Sequence, residues 1–293
     1  MKTSVVGATL ALFGLVLTGC ATPLKQTFPE SARIVPEGRH MIVSVPQSEI
    51  NPAINQSVMG GAGFGLIGAL VDTGVNQSRT KTAEAAIIPV RDALTDYKFD
   101  QKALSTSDEL SLSVDWLTVK KTEVNKDVSN ARFSSALDAS ASQQLVSITY
   151  DYVLGPEFRT LTVGSNVAVL SKKLPANGKK EDRALLKNAD FSRMFTCIVP
   201  LPAATDAIDE NASKWSANGG ALTEQSLDKA LAKLAVMMKR GFELTPQQEQ
   251  ALKSAKNAKV GTYQGKVIQR DEEGTLLLTP FGQFQYIYGS FPL

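Results

Sequence analysis

Apolar and polar positions recur with a readable period over most of the chain, and the periods predict a mixture of strands and helices. Met41-Ile42-Val43-Ser44-Val45 predicts a first strand, closed by Pro46. Between Ser78 and Tyr97, the residues Ala83, Ile87, Val90, Leu94 and Tyr97 recur at the spacing of one helix face. Pro89 lies inside that pattern and is expected to kink or split the helix, because proline removes a backbone donor. Leu110, Leu112, Val114 and Trp116 alternate with Ser111, Ser113 and Asp115, which predicts a half-buried strand over 110–119. Residues 121–142 are rich in Ser, Asn and Asp and predict a long loop.

Beyond this loop the alternation is clearer. Gln144 to Leu154 puts Val146, Ile148, Tyr150 and Tyr152 on one face. Gly155-Pro156-Glu157 then turns the chain into an antiparallel strand from Phe158 to Val163, extending through Leu170. Met194 to Val199 is another strand. Thr223 is read as the N-cap of a helix with Leu227, Leu231, Leu234 and Met238 in one stripe and Gly241 at its stop. Thr245-Pro246 opens a shorter helix, and the tail forms a meander of Tyr263–Gln269, Thr275–Thr279 and Gln283–Tyr288. This order predicts an α+β fold: a mostly antiparallel sheet with helices packed on one face and a C-terminal β-meander. Residues 39–242 form the α+β domain. Residues 243–293 either complete it or stand as a separate unit.

The first twenty residues have a different organisation. Lys2 gives a basic tip, Val5 to Leu17 is uncharged and mainly apolar, and Leu17-Thr18-Gly19-Cys20 follows. A basic tip, a short apolar run and small residues describe an export signal, too short for a permanent span. The last four residues resemble the lipobox of bacterial lipoproteins. That resemblance implies cleavage before Cys20 and lipid on its sulfur, so that residues 1–19 are a removed signal peptide. Two or three acyl chains anchor a protein stably where one does not. Ala21, in place of the aspartate that marks inner-membrane retention in such lipoproteins, implies the outer membrane. Residues 20–38, with Pro23, Pro29 and Pro36, read as a lipidated tether. The pattern through the helix near 240 is similar to that of small periplasmic α+β lipoproteins.

The least ordinary stretch is the glycine-rich segment 58–75, VMGGAGFGLIGALVDTGV. It contains a literal G-x-G-x-x-G at Gly63-Phe64-Gly65-Leu66-Ile67-Gly68. A dinucleotide site needs a strand immediately before such glycines. Asn51 to Ser57 is turn-like, so no nucleotide or other cofactor is expected. Gly61, Gly65 and Ala69 stand four apart and present small residues on one helix face, where a helix or a lipid surface can approach closely. They are the candidate contact with a membrane, an envelope protein partner or a second copy, the alternative being burial inside the fold.

Composition narrows the chemistry. Removal of Lys2 with the signal leaves 30 basic and 29 acidic residues, so no field invites nucleic acid. Cys197 is the single cysteine after Cys20, lies in an apolar run, and is expected to be buried and inert. His40 is the lone histidine, expected on the surface of a strand, with neither a metal set nor a triad around it. Asp271, Glu272 and Glu273 crowd a turn, where solvation is expected. Phe284, Tyr286 and Tyr288 share one strand face, facing either the core or a partner. These features lead to a non-enzymatic, periplasm-facing lipoprotein that binds or scaffolds another envelope component. The alternatives are an envelope hydrolase using carboxylates, or a carrier of a small apolar ligand between Leu231, Leu234 and Trp116.

Overall fold

The computed structural model describes residues 26–35, 37–53, 74–172 and 189–289. Its frame is a ten-stranded mixed sheet. The strands are β1 (Arg39–Ser44), β2 (Asn51–Pro52), β3 (Val119–Asn125), β4 (Gln144–Leu154), β5 (Thr160–Ser171), β6 (Phe191–Pro200), β7 (Asn257–Val260), β8 (Tyr263–Arg270), β9 (Gly274–Leu278) and β10 (Phe284–Tyr288). They lie in the order β3-β1-β4-β5-β6-β10-β9-β8-β7, with β2 beside the end of β4. The α+β fold is therefore as expected. The joins β4–β5, β5–β6, β10–β9, β9–β8 and β8–β7 are antiparallel, while β1 runs parallel to both β3 and β4, and β10 parallel to β6. Because β10 pairs with β6, the C-terminal meander continues the same sheet.

Alternation decides the faces. Met41, Val43, Val146, Ile148, Tyr150, Val163 and Val167 point to one side and form the main core with the helices α1 (Gly74–Ala86), α2 (Ile88–Ala93), α3 (Phe99–Ser113) and α5 (Ile208–Glu243). The expected split at Pro89 is present: α1 ends at Ala86 and α2 begins at Ile88, with Ile87 and Val90 fully buried. Phe284, Tyr286 and Tyr288 are buried on an internal strand, so they face the core and are not offered to a partner.

Three local expectations are corrected. The strand over 110–119 is instead the end of α3 and the connection that leads to β3 at Val119. Phe99, Ala103, Ser107 and Leu110 recur at helical spacing and are buried, whereas Leu112 is 85% exposed. The loop over 121–142 contains the edge strand β3 and a helix, α4 (Asn130–Ala139), which packs Phe133, Ala136 and Leu137 on the opposite side of the sheet against Ile42, Leu145 and Leu170. Ser129 caps α4 by accepting from the Arg132 amide. Lastly, Thr223 does not cap a helix. α5 begins at Ile208 and breaks at Ala217–Gly220, where Asn218, Gly219 and Gly220 have positive φ. Thr223 is buried beyond the break and its hydroxyl donates to the Trp215 carbonyl.

Gly241 is likewise no stop signal, since α5 continues to Glu243. A Cβ there would stand 2.6 Å from Cζ of Phe195, so the glycine lets α5 approach β6. Gly241→Ala is expected to destabilise by about 1–3 kcal/mol through overpacking, read from the midpoint of urea unfolding. An unchanged midpoint would mean that the helix slides freely over Phe195. By contrast, Thr245 does start the predicted helix α6 (Pro246–Ser254), through a reciprocal capping box with Gln248.

The two ends of the sheet differ. At one end β1, β4 and β6 begin, β5 finishes, and the turn 279–283 joins β9 to β10. The opposite end carries β2, the connection from β4 to β5, and the turn at Asp271–Glu273. Residues 26–35 are bound to the first end. Phe28 is 2% exposed and stacks on Trp116 at 4.6 Å. Buried Arg39 donates to the carbonyls of Ala32, Arg33 and Trp116. Buried Arg193 donates to the Gln26 carbonyl and to Glu249 of α6, and the Gln26 amide donates to the Phe281 carbonyl in the turn 279–283. The tether read over 20–38 is thus part of the folded body from Gln26 onward. Its aromatic residue, Phe28, was hidden among prolines and polar neighbours.

Candidate functional site

The residues expected to carry function, Cys20, Gly61, Gly65 and Ala69, lie outside the described residues. So does the G-x-G-x-x-G run. The described chain leaves β2 at Ala53, whose amide donates to the Leu154 carbonyl, at the end of the sheet opposite Gln26.

Within the described residues, several charged side chains gather where β1 and β3 meet α4. A cleft of about 330 Å³ opens there, with Lys120, Lys121, Glu123, Arg132 and His40 among its lining. Alternation along β1 explains the composition. Met41 and Val43 enter the main core, so His40 and Ile42 turn to the other side, where α4 covers Ile42 and leaves His40 at the cleft. His40 is 4% exposed, which corrects the expected surface position. Neither ring nitrogen has a well-formed hydrogen bond, and Nε2 stands 3.5 Å from Oε2 of Glu123. Arg132 already clasps Glu123, with Lys121 at 3.4 Å, so little of that carboxylate is left for an imidazolium. Burial foremost, then the Lys121 charge, holds His40 below its ordinary pKa, against the opposing backbone at Ala136. The imidazole is neutral at pH 7.

This arrangement can bind an anionic group. The nearby Ser142 hydroxyl is held by the carbonyls of Gly38 and Gln144, locking the loop before β4. Among the described residues, no group of three or more His, Cys, Asp and Glu side chains is placed to hold a metal. Cations outnumber anions around the cleft, which suits an acidic group on a ligand or partner.

A second group on the same side of the sheet was not foreseen. Asp151 alternates with Tyr150 and Tyr152 on β4 and lies across Gly164, its partner on β5. A Cβ at Gly164 would fall 2.5 Å from Asp151 Oδ1, so the glycine makes room for the carboxyl. Oδ2 is buried with no hydrogen-bond partner. Burial alone pushes this carboxyl up to about 6. The alternation of Ser147, Thr149 and Asp151 marks the face in the sequence, but nothing local marks the burial.

Other candidates are structural. Cys197 is fully buried and its thiol is pushed far up by burial, as expected of an inert cysteine. Asp271 is not merely solvated: Oδ1 accepts from the Glu273 and Gly274 amides and from the Tyr286 hydroxyl. The space proposed for an apolar ligand beside Trp116 is filled by the chain itself. Phe28 stacks on that indole, Phe242 meets it edge-on at 5.5 Å, and Leu231 and Leu234 are buried in the core. No protein-family model matches this chain, and no curated protein matches it.

Proposed function

We propose that this chain is an envelope lipoprotein, lipidated on Cys20, anchored in the outer membrane and facing the periplasm. There it binds or scaffolds another envelope component and does no chemistry of its own. The observation that carries this reading is the sequence Leu17-Thr18-Gly19-Cys20 at the end of an export signal, six residues before the chain enters the folded body at Gln26. Two features support binding. The cleft at His40, Lys121 and Arg132 is cationic. The glycine-rich segment with Gly61, Gly65 and Ala69 follows in sequence after Ala53, which is held at the end of the sheet remote from Gln26.

The test is crosslinking of the lipidated protein in intact cells, followed by identification of what it captures. A distinct envelope protein, lost on Gly65→Leu or on Lys121→Glu with Arg132→Glu, is the expected result. Recovery of only bulk lipid and the protein itself, indifferent to these changes, would remove the binding reading. Anchoring has its own check: Cys20→Ser is expected to release the protein from the membrane fraction or to leave it unprocessed. A hydrolase remains the second reading. Its support is Asp151, a carboxyl that holds its proton close to neutral pH.

A further inference from the structure

We infer that the end of the sheet bearing Gln26 and Phe281 rests on the bilayer, with Phe281 entering an interface of anionic headgroups. The inference deepens the lipid-anchor reading and rests on it. Its first support is reach. A tether running from Cys20 to Arg39 would let the body turn freely, but the chain is fixed from Gln26 by Arg193, by Phe281 and by the burial of Phe28. Only residues 21–25 separate Cys20 from Gln26. Fully extended, the six steps from Cys20 to Gln26 cover about 20 Å. The 12 residues of β5 alone span about 40 Å. The near end therefore stays within about 20 Å of the bilayer however the body turns, while the far end can stand about 40 Å further out.

The near end also has the chemistry of a membrane-resting surface. Phe281 is 59% exposed at the tip of the turn whose carbonyl holds Gln26. Ile34, 80% exposed, sits beside Arg33, whose guanidinium reaches the Phe242 carbonyl near the end of α5. Aromatic and aliphatic side chains of this kind favour the headgroup boundary. Charge agrees. Lys266 pairs with Leu278, the last residue of β9 before the turn, and its ammonium meets the Lys253 carbonyl at the end of α6. Lys253 itself bridges to Glu249, already bound by Arg193, and Lys256 follows on the same connection. Against these cations stand Glu30, Glu37, Asp190 beside the start of β6, which accepts from the Ser171 hydroxyl, and Glu243 at the end of α5, which is paired with Lys239. The acidic run Asp271–Glu273 is at the opposite end of β8 and β9. A cationic rim around exposed apolar tips fits anionic lipid, each basic residue adding about 1 kcal/mol near such a surface.

The experiment uses the full lipidated protein in vesicles of phosphatidylethanolamine and phosphatidylglycerol. Phe281→Cys, and Ile88→Cys on α2 as the remote control, are each labelled with an environment-sensitive fluorophore. Buried Cys197 does not compete for the label. The expected result is a blue shift and several-fold stronger quenching by spin-labelled lipid at 281 than at 88, weakened by Lys253→Glu with Lys266→Glu. Equal quenching at both positions, on protein whose mass shows acylated Cys20, overturns the orientation alone. A label at 281 shielded in native membranes but free in vesicles assigns this end to a protein partner and also overturns it. A mature chain with no acyl group on Cys20 removes the anchor reading, and the orientation with it.

Discussion

Replacing Phe28 by alanine is expected to destabilise the folded body by about 3–5 kcal/mol, the range for truncating a buried aromatic residue. The ring is 2% exposed, stacks on Trp116 at 4.6 Å and meets Phe191 at 6.2 Å. Its removal opens a space bordered by Trp116, Phe191 and Phe242, which also pack on one another. Because Phe28 lies close to the start of the described chain, the segment can peel away before the sheet unfolds. The loss would then appear first as protease cleavage between 26 and 38. Urea unfolding and limited proteolysis together measure both outcomes. Pro29→Ala, next to Phe28 but exposed, is expected to shift stability by less than about 0.5 kcal/mol. If Phe28→Ala behaved like Pro29→Ala, residues 26–35 would be a free tether after all, and the short reach to the membrane would be lost.

Asp151→Asn is expected to act in the other direction. The carboxyl titrates near 6 in the folded protein, against 3.8 as its ordinary value. Between these pH values the folded state holds a proton that the unfolded state has released, so stability falls as pH rises through the window and stays low above it. Because the side chain keeps part of its solvent contact, holding this charge costs on the order of 1–3 kcal/mol at pH 7. Asparagine removes the charge but leaves an amide in the same place without a partner, so a gain of about 1–3 kcal/mol is expected. The comparison is a set of urea unfolding curves from pH 4 to 7, in which the difference between variant and parent should grow with pH and level off above 6. His40 titrates in both proteins and cancels in the difference. A difference independent of pH would show that Asp151 is ionised and solvated. A more stable variant that loses a cellular phenotype would favour the hydrolase reading.

What was legible in the sequence followed the clarity of the period. β4 runs from Gln144 to Leu154 as its alternation predicts, and the break at Pro89 falls between α1 and α2. The meander was readable because turn residues separate its strands, although β7 was too short and polar to announce itself. Two helices were missed for different reasons. In α3 the buried positions Phe99, Ala103, Ser107 and Leu110 include a serine and an alanine, so a short accidental alternation near its end looked stronger. In α4 three apolar residues amid Ser, Asn and Asp resembled a loop until Ile42 and Leu145 supplied a surface for them. Tertiary context, which no local pattern contains, also explains Gly241. It looked like a helix stop and is a contact with Phe195.

The candidate site was less legible than the fold. The burial of His40 depends on α4, and the burial of Asp151 depends on Gly164 thirteen residues later on another strand. Neither was visible in a window of neighbours. The lipid attachment is the reverse case, a short motif at Leu17–Cys20 that needs no fold to be read.

Anchoring through Cys20 is the claim on which orientation and proposed function both depend. The most direct test is the intact mass of the protein purified from membranes, with fragmentation of its first peptide. The account predicts that residues 1–19 are gone and that the chain begins at Cys20 with a diacylglyceryl group on sulfur. A chain that retains Met1, or that begins elsewhere with an unmodified Cys20, would contradict it.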